Sequence, residues 1–459
     1  MDSMAIGPKN VAKARRDGFT LLLLGALGFI AINSILVLAT RQSPYTFIDF
    51  RAAYVGGRSI LKGLDPYNHE IFLRVFRESL GNLTNDASGD YVRQVVTLYF
   101  YPPTIFAVTA PFATLPFAIA QALWVGCSAA FCILSTFLAW DLAAQRASFL
   151  AGALLSFCLV NSISSIFWGN PAGLAVGLCV IAVWCIFRER FTVLGVLCLA
   201  ISLALKPNDS GLVWLYLFFA GPPYRKRAMQ TLAALAIYIF PFVLWVWRVS
   251  PHWPEEMRTN YLVLSAHGTI SDPGPSAALS RGASMLTDLR SVFSFFWDDP
   301  HFYNLASFTV IAVLLIVWIR EFHRAELTSA RAWFHLAAVA ALSPLASYHR
   351  IYDARLIVLT IPALALLWTD GGRIARIALL INGAAIIATS DLPWVLYLFT
   401  MAKLDPAPTG MFKQLRIACV SLTVPLTLLA TAVIYLWALM RDRRRPIFPE
   451  MLDEPKQLA

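Results

Sequence analysis

Four short segments set polar side chains at the edges of long apolar runs. Phe47-Ile48-Asp49-Phe50 places one carboxylate just beyond the first run, among aromatic rings that can bury it and shift its pKa. Trp168-Gly169-Asn170 and Lys206-Pro207-Asn208-Asp209 end two later runs. The fourth segment, from Ser343 to Arg355, carries His349, Arg350 and Asp353. A charge at a bilayer centre costs on the order of 3 kcal/mol, so such groups tend to be paired or functional. A carboxylate can take a proton from an acceptor hydroxyl. A lysine, an arginine and a histidine can neutralise a phosphate as it leaves. Together they suit transfer of a group from a lipid phosphate. The plain alternatives are structural. They are an Asp49 pair with Arg51 or Arg58, a Lys206 that snorkels to the interface, and an ordinary loop at His349-Arg350. Tyr67 and Tyr101 then belong to an aromatic belt, and Asp353 pairs with Arg350 or Arg355.

The elements that must position these groups are membrane helices. Of 459 residues, 58% are hydrophobic and 14% charged, against about 25% charged in soluble domains. Apolar runs follow one another almost end to end. They read as one embedded domain over 1–440 with a basic tail, 441–459. Spans fall at about 19–40, 117–140, 147–167, 170–187, 191–205, 210–221, 228–248, 303–319, 332–346, 354–369, 374–390 and 415–440. The first is too long for a signal-peptide core and lacks a clear cleavage site.

With the N-terminus inside, alternation puts Arg146, Arg188/Arg190, Arg225-Lys226-Arg227, Arg320/Arg324/Arg331, Arg373/Arg376 and the Arg441–Arg445 tail all inside. One assignment thus satisfies every short basic loop. The net charge of +10 follows these loops and termini and does not point to nucleic acid. Two long outer segments remain. In 41–116, His69 to Leu80 is an interfacial helix with Ile71, Phe72, Val75, Phe76 and Leu80 on one face. Gly63 stops the helix before it and Asp65-Pro66 makes the turn. A short apolar helix follows Tyr101-Pro102-Pro103. Segment 249–302, rich in Pro, Gly, Ser and Trp, reads as loop. The Asn82-Leu83-Thr84 sequon, Asp86 and Asp90 read as ordinary loop residues. The seven cysteines lie in apolar runs without CxxC spacing, so neither a disulfide framework nor a zinc site is implied.

Asp49-Phe50 with Tyr54, Gly63-Leu64-Asp65-Pro66-Tyr67, Tyr101-Pro102-Pro103, Pro111…Leu115-Pro116, Ala120, Trp124, Lys206-Pro207-Asn208 and Ser343-Pro344…Ser347-Tyr348-His349 form a further pattern. It resembles glycosyltransferase family 87, polyprenyl-phosphate-sugar-dependent enzymes of the GT-C fold, over about 19–440. The resemblance implies an all-α polytopic membrane protein. Its bundle has about twelve transmembrane helices, with membrane-parallel helices on a large first extracytoplasmic loop. It carries the general base onto Asp49, puts His349 at the active site and sets Lys206 near the donor phosphate. The family usually shows Gln near Asn170 and Asn208, and Ser-Trp with paired His near Ser347 to Arg350. Its Asn-Gln-Ser motif is absent from the second long loop, where Pro275-Ser276 and Arg281 stand in.

The resulting expectation is an inverting hexosyltransferase with Asp49 as catalytic base. Lys206, His349, Arg350, Tyr67, Tyr101, Asn170 and Asn208 bind substrate. The donor is a polyprenyl-phosphate sugar, of mannose by the resemblance, and the acceptor a lipid or glycan. Neither metal nor other cofactor is called for. The protein sits among membrane lipids in the cell membrane, with both termini cytoplasmic and the site facing outward. The second reading is a transporter or flippase of a lipid-linked sugar. Inverted repeats and midplane polar sites would mark it; no repeat is evident. A non-catalytic assembly protein is the third.

Overall fold

In the computed structural model the chain is described over 8–40, 43, 45–82, 96–269, 271–275, 286–396 and 410–442. Leu83 and Thr84 of the sequon, Asp86, Asp90, Ser276, Arg281 and the tail from 443 onward lie outside the described residues.

The chain opens with α1 (Pro8–Thr40). Segment 41–116 folds into α2 (Ile48–Leu61), α3 (His69–Leu80), a 3-10 turn at Pro103–Ile105 and α4 (Phe106–Ala113). Next come α5 (Phe117–Val160), α6 (Ile163–Phe167), α7 (Ala172–Phe187), α8 (Thr192–Leu205), α9 (Pro207–Phe219) and α10 (Pro222–Val249). Segment 249–302 holds α11 (Trp253–Leu264) and α12 (Arg290–Phe296). Then follow α13 (Pro300–Arg324), α14 (Ser329–Leu342), a 3-10 stretch at Asp353–Thr360 running into α15 (Ile361–Asp370), α16 (Gly372–Ala388) and α17 (Gly410–Arg441). Among the described residues the only strand-like pairing is one antiparallel bridge, Leu286 to Arg350.

Among the described residues, five segments are long and apolar enough to cross a membrane: Val11–Thr40, Phe117–Phe167, Pro222–Val249, Pro300–Arg324 and Gly410–Arg441. The others are shorter. α7, α8, α9 and α14 have 16, 14, 13 and 14 residues, below the roughly 20 that a full crossing needs. α7 and α14 are buried almost all round, as helices without a polar face must be.

At 44 residues α5 would be on the order of 66 Å long, about twice the hydrocarbon thickness. It is two helices meeting at Ala147, whose φ of −137° and ψ of 66° break the path. α1 packs along the second half through small residues. A Cβ on Gly18 would come within 2.5 Å of the Ser148 carbonyl oxygen, and one on Gly152 equally close to that of Gly18. Side-chain-free contacts of this kind let apolar helices associate where no hydrophobic force drives them.

The two ends of the bundle differ in chemistry. One gathers the basic turns: Arg188 pairs with Asp141 at 3.0 Å and Arg331 with Glu321 at 3.5 Å. Asp370 lies in the field of Arg146, and Asp442 in that of Arg331 and Asp370. The turns before α2, α7 and α9 and after α14 meet elsewhere, around a single cavity. In segment 41–116, Gly63 at φ +67° ends α2 and the Asn68 side chain caps α3. Phe72, Val75 and Phe76 are buried while Arg74 and Arg77 face out. α11 occupies sequence read as loop. Its start carries the marks of a helix N-terminus: Trp253-Pro254, then Glu255 and Glu256 in the first turn. Asn260 on α11 donates to the carbonyls of Tyr67 and Tyr99, both at 2.9 Å, and so clasps the two long segments together.

Candidate active site

Backbone bonds fix the first turn of α2 before any side chain acts. Phe47 N–H donates to the Phe167 carbonyl at 2.8 Å and Asp49 N–H to that of Trp168 at 3.0 Å. The 167–170 turn needs Gly169 in the left-handed region, φ +64°. A Cβ there would sit 2.9 Å from Phe50 Cβ. Trp124 closes the junction: its Nε1–H donates to the Gly169 carbonyl at 2.9 Å and its ring stacks on Phe50 at 4.8 Å. Phe47 is itself left-handed, φ 59°, a strain of about 1–3 kcal/mol that the surrounding packing must hold. We expect Gly169→Ala to lower stability by about 1–3 kcal/mol through its φ and the clash with Phe50. Thermal unfolding of the purified protein reads this, and an unchanged midpoint would mean the junction yields freely.

Asp49 lies in the first turn of α2, where the helix dipole favours a carboxylate. It is half-buried. Its Oδ2 accepts from Asn170 Nδ2–H at 2.7 Å. Burial lifts its pKa above the ordinary aspartate value, while the Asn170 bond and the cations Arg350 and Lys206 pull it back in part. The pairing alternative is not found. Arg51 donates instead to the Thr46 carbonyl at 3.2 Å and Arg58 to that of Ala113 at 3.0 Å.

Lys206 stands at the break between α8 and α9 and turns inward instead of snorkelling. Its Nζ contacts Asp353 Oδ1 closely, lies 4.0 Å from Asp209 Oδ2 and 3.4 Å from Asn170 Oδ1. This corrects the expected partner of Asp353. Arg355 turns to Asp391 at 3.1 Å. Arg350 meets Asp353 only through its backbone N–H, at 2.8 Å, and donates from Nε to the Tyr348 hydroxyl at 2.6 Å.

The cavity has a volume of about 840 Å³. Asp49, Asn170, Lys206, Asn208 and Arg350 form its polar floor, and Leu98, Phe100, Tyr101, Trp168, Leu264 and Trp394 rise around it. Six of the eight expected residues therefore share one space. His349 and Tyr67 do not line it. His349 is 1% exposed behind the floor, with Nδ1 2.8 Å from the Ser347 carbonyl and Nε2 3.1 Å from Asp209 Oδ1 and 3.0 Å from Asn208 Nδ2. Burial opposes its charge, but the Asp209 carboxylate outweighs it and holds the imidazole above its ordinary pKa. Tyr67 is buried against Tyr99 and donates its hydroxyl to the Tyr101 carbonyl at 2.9 Å, so it supports Tyr101 from outside the cavity.

The stretch is irregular. Ser347, Tyr348, Arg350 and Tyr352 line the cavity, while His349 and Ile351 are buried. Arg350 makes a strand-like bridge to Leu286, and the chain then turns through Ile351 and Tyr352 into the 3-10 stretch. Tyr352, Asp209 and the Lys206–Asp353 contact had no separate mark in the sequence.

The family model for glycosyltransferase family 87 matches residues 99–347. No curated protein and no solved structure matches the chain. The matched stretch contributes Tyr101, Asn170, Lys206 and Asn208 to the cavity; Asp49 and Arg350 come from either side of it. Since that match spans more than half of the sequence, the chain belongs to glycosyltransferase family 87 and is a glycosyltransferase, with a sugar donor and an acceptor as its substrates.

Proposed function

We propose that the chain is an inverting GT-C-type enzyme that moves a hexose, mannose first among them, from a polyprenyl-phosphate sugar to a lipid or glycan acceptor. The observation that carries this reading is one carboxylate, Asp49, on the same cavity floor as Lys206 and Arg350. Inversion takes one in-line displacement, for which one base suffices; glycosidases need two carboxyl groups. Asp49 takes the acceptor's hydroxyl proton as its oxygen bonds to the anomeric carbon. The bond from that carbon to the phosphate oxygen breaks, and its electrons leave with the polyprenyl phosphate. Lys206 and Arg350 meet the charge that gathers there, and Asp49 then releases its proton to water. The aromatic walls suit sugar faces and a lipid tail.

The same reading makes residues 1–440 one domain of about twelve crossings, with short helices such as α8 and α9 thinning the bilayer locally. It places both termini in the cytoplasm and the cavity on the outer side. Separation of the basic turns from the cavity supports that polarity. With purified protein in proteoliposomes of total membrane lipid, labelled sugar should pass from a synthetic polyprenyl-phosphate mannose into lipid, and not from a nucleotide sugar. Transfer from the nucleotide sugar alone would overturn the donor assignment.

A further inference from the structure

A carboxamide has two N–H donors and two acceptor lone pairs, and all four positions of Asn170 are occupied by protein. Its Oδ1 accepts from Ala172 N–H at 2.9 Å and from Lys206 Nζ at 3.4 Å. Its Nδ2 donates to Asp49 Oδ2 at 2.7 Å and to the Tyr352 hydroxyl at 3.1 Å. The orientation is not free. Ala172 N–H can only face the oxygen, so the amino group must face Asp49 and Tyr352. The side chain is 4% exposed, and its backbone is held by the same turn that docks α2. A substrate hydroxyl could bind Asn170 only by displacing one of these partners.

We propose that Asn170 is a positioning residue that joins the Asp49 carboxylate to the Lys206 cation and leaves Asp49 Oδ1 aimed at the acceptor hydroxyl. This rests on the reading of Asp49 as base. Among the described residues, the hydrogen bond that reaches the Asp49 carboxylate runs from Asn170 to Oδ2. One oxygen is thus clamped, on a residue that lines the cavity. The charged and titratable groups around the clamp are Lys206 and Arg350, Tyr101 and Tyr352, with Asp353 and Asp209 behind Lys206.

The test is Asn170→Asp. It keeps an oxygen for Ala172 N–H, so the helix start survives, and gives Lys206 a further partner. Towards Asp49 it replaces a donor with a second carboxylate, and two carboxylates at that distance cannot both ionise. Transfer from polyprenyl-phosphate mannose should fall about 10²-fold in kcat, with the donor KM nearly unchanged. The acid limb of the kcat/KM profile should move to higher pH. Asn170→Ala, which removes the donor without adding charge, should move that limb in the same direction.

A wild-type kcat with an unmoved limb in both variants would overturn the proposal. So would a raised donor KM at unchanged kcat, the mark of a substrate contact. Asp49→Asn in the same assay separates the two ideas. Full transfer by Asp49→Asn removes the base itself. Loss of transfer there, with Asn170 variants at the wild-type rate, removes only the clamp.

Discussion

Asp49→Asn is expected to yield a folded protein that binds donor and transfers almost no sugar. The substitution keeps the size of the side chain, and the new carboxamide oxygen still accepts from Asn170 Nδ2–H, which now sits 2.7 Å from Asp49 Oδ2. The backbone bond from residue 49 to the Trp168 carbonyl is untouched. What disappears is the basic oxygen. Positioned bases contribute about 10²–10⁴-fold, so kcat should fall by that factor while donor affinity stays near wild type. The base works only when ionised, and burial lifts its pKa above the ordinary aspartate value. Activity should therefore fall on the acid side at a higher pH than for an exposed aspartate, and Asp49→Asn should lack that limb. Near-normal transfer by the variant would reduce Asp49 to a structural role and move attention to Asp353 or Asp209.

Lys206→Met should be costly in another way. Asp353 and Asp209 each have side chains 1% exposed and share this cation. Removing one partner of a buried pair leaves an uncompensated charge, worth about 3–5 kcal/mol. The single variant should therefore unfold at clearly lower temperature, and its loss of donor binding would mix two effects. The double variant Lys206→Met/Asp353→Asn deletes one charge of each sign. It should recover most of the stability without recovering donor binding. A single variant as stable as wild type would show that the cation is not needed to hold the carboxylates. A double variant with wild-type donor affinity would show that Lys206 does not meet the phosphate.

Much of this was legible because it depends on local pattern. The helix at His69–Leu80 follows from its apolar face after the Asp65-Pro66 turn, and the observed α3 has those bounds. The gathering of Asp49, Asn170, Lys206 and Arg350 follows from counting turns between apolar runs. What escaped depends on packing or irregular backbone. Lys206 meets Asp353 because the break between α8 and α9 packs beside the start of the 3-10 stretch at Asp353–Thr360. The side on which His349 lies is not legible, because the bends and turn around it have no periodicity to read. α11 was missed although Pro254, Glu255 and Glu256 mark its start, since the Pro- and Gly-rich composition around it outweighed them.

The Lys206–Asp353 contact also bears on how the chain is made. The two residues are 147 positions apart. While the polypeptide is being synthesised, Lys206 must enter its apolar surroundings long before that partner exists. Asp209, one helical turn on at i,i+3, emerges with it and can shield the ammonium group through the interval. Its own counter-charge from His349 arrives only four residues ahead of Asp353. The second carboxylate beside Lys206 is thus the counter-charge that sequence order makes available before Asp353 is synthesised.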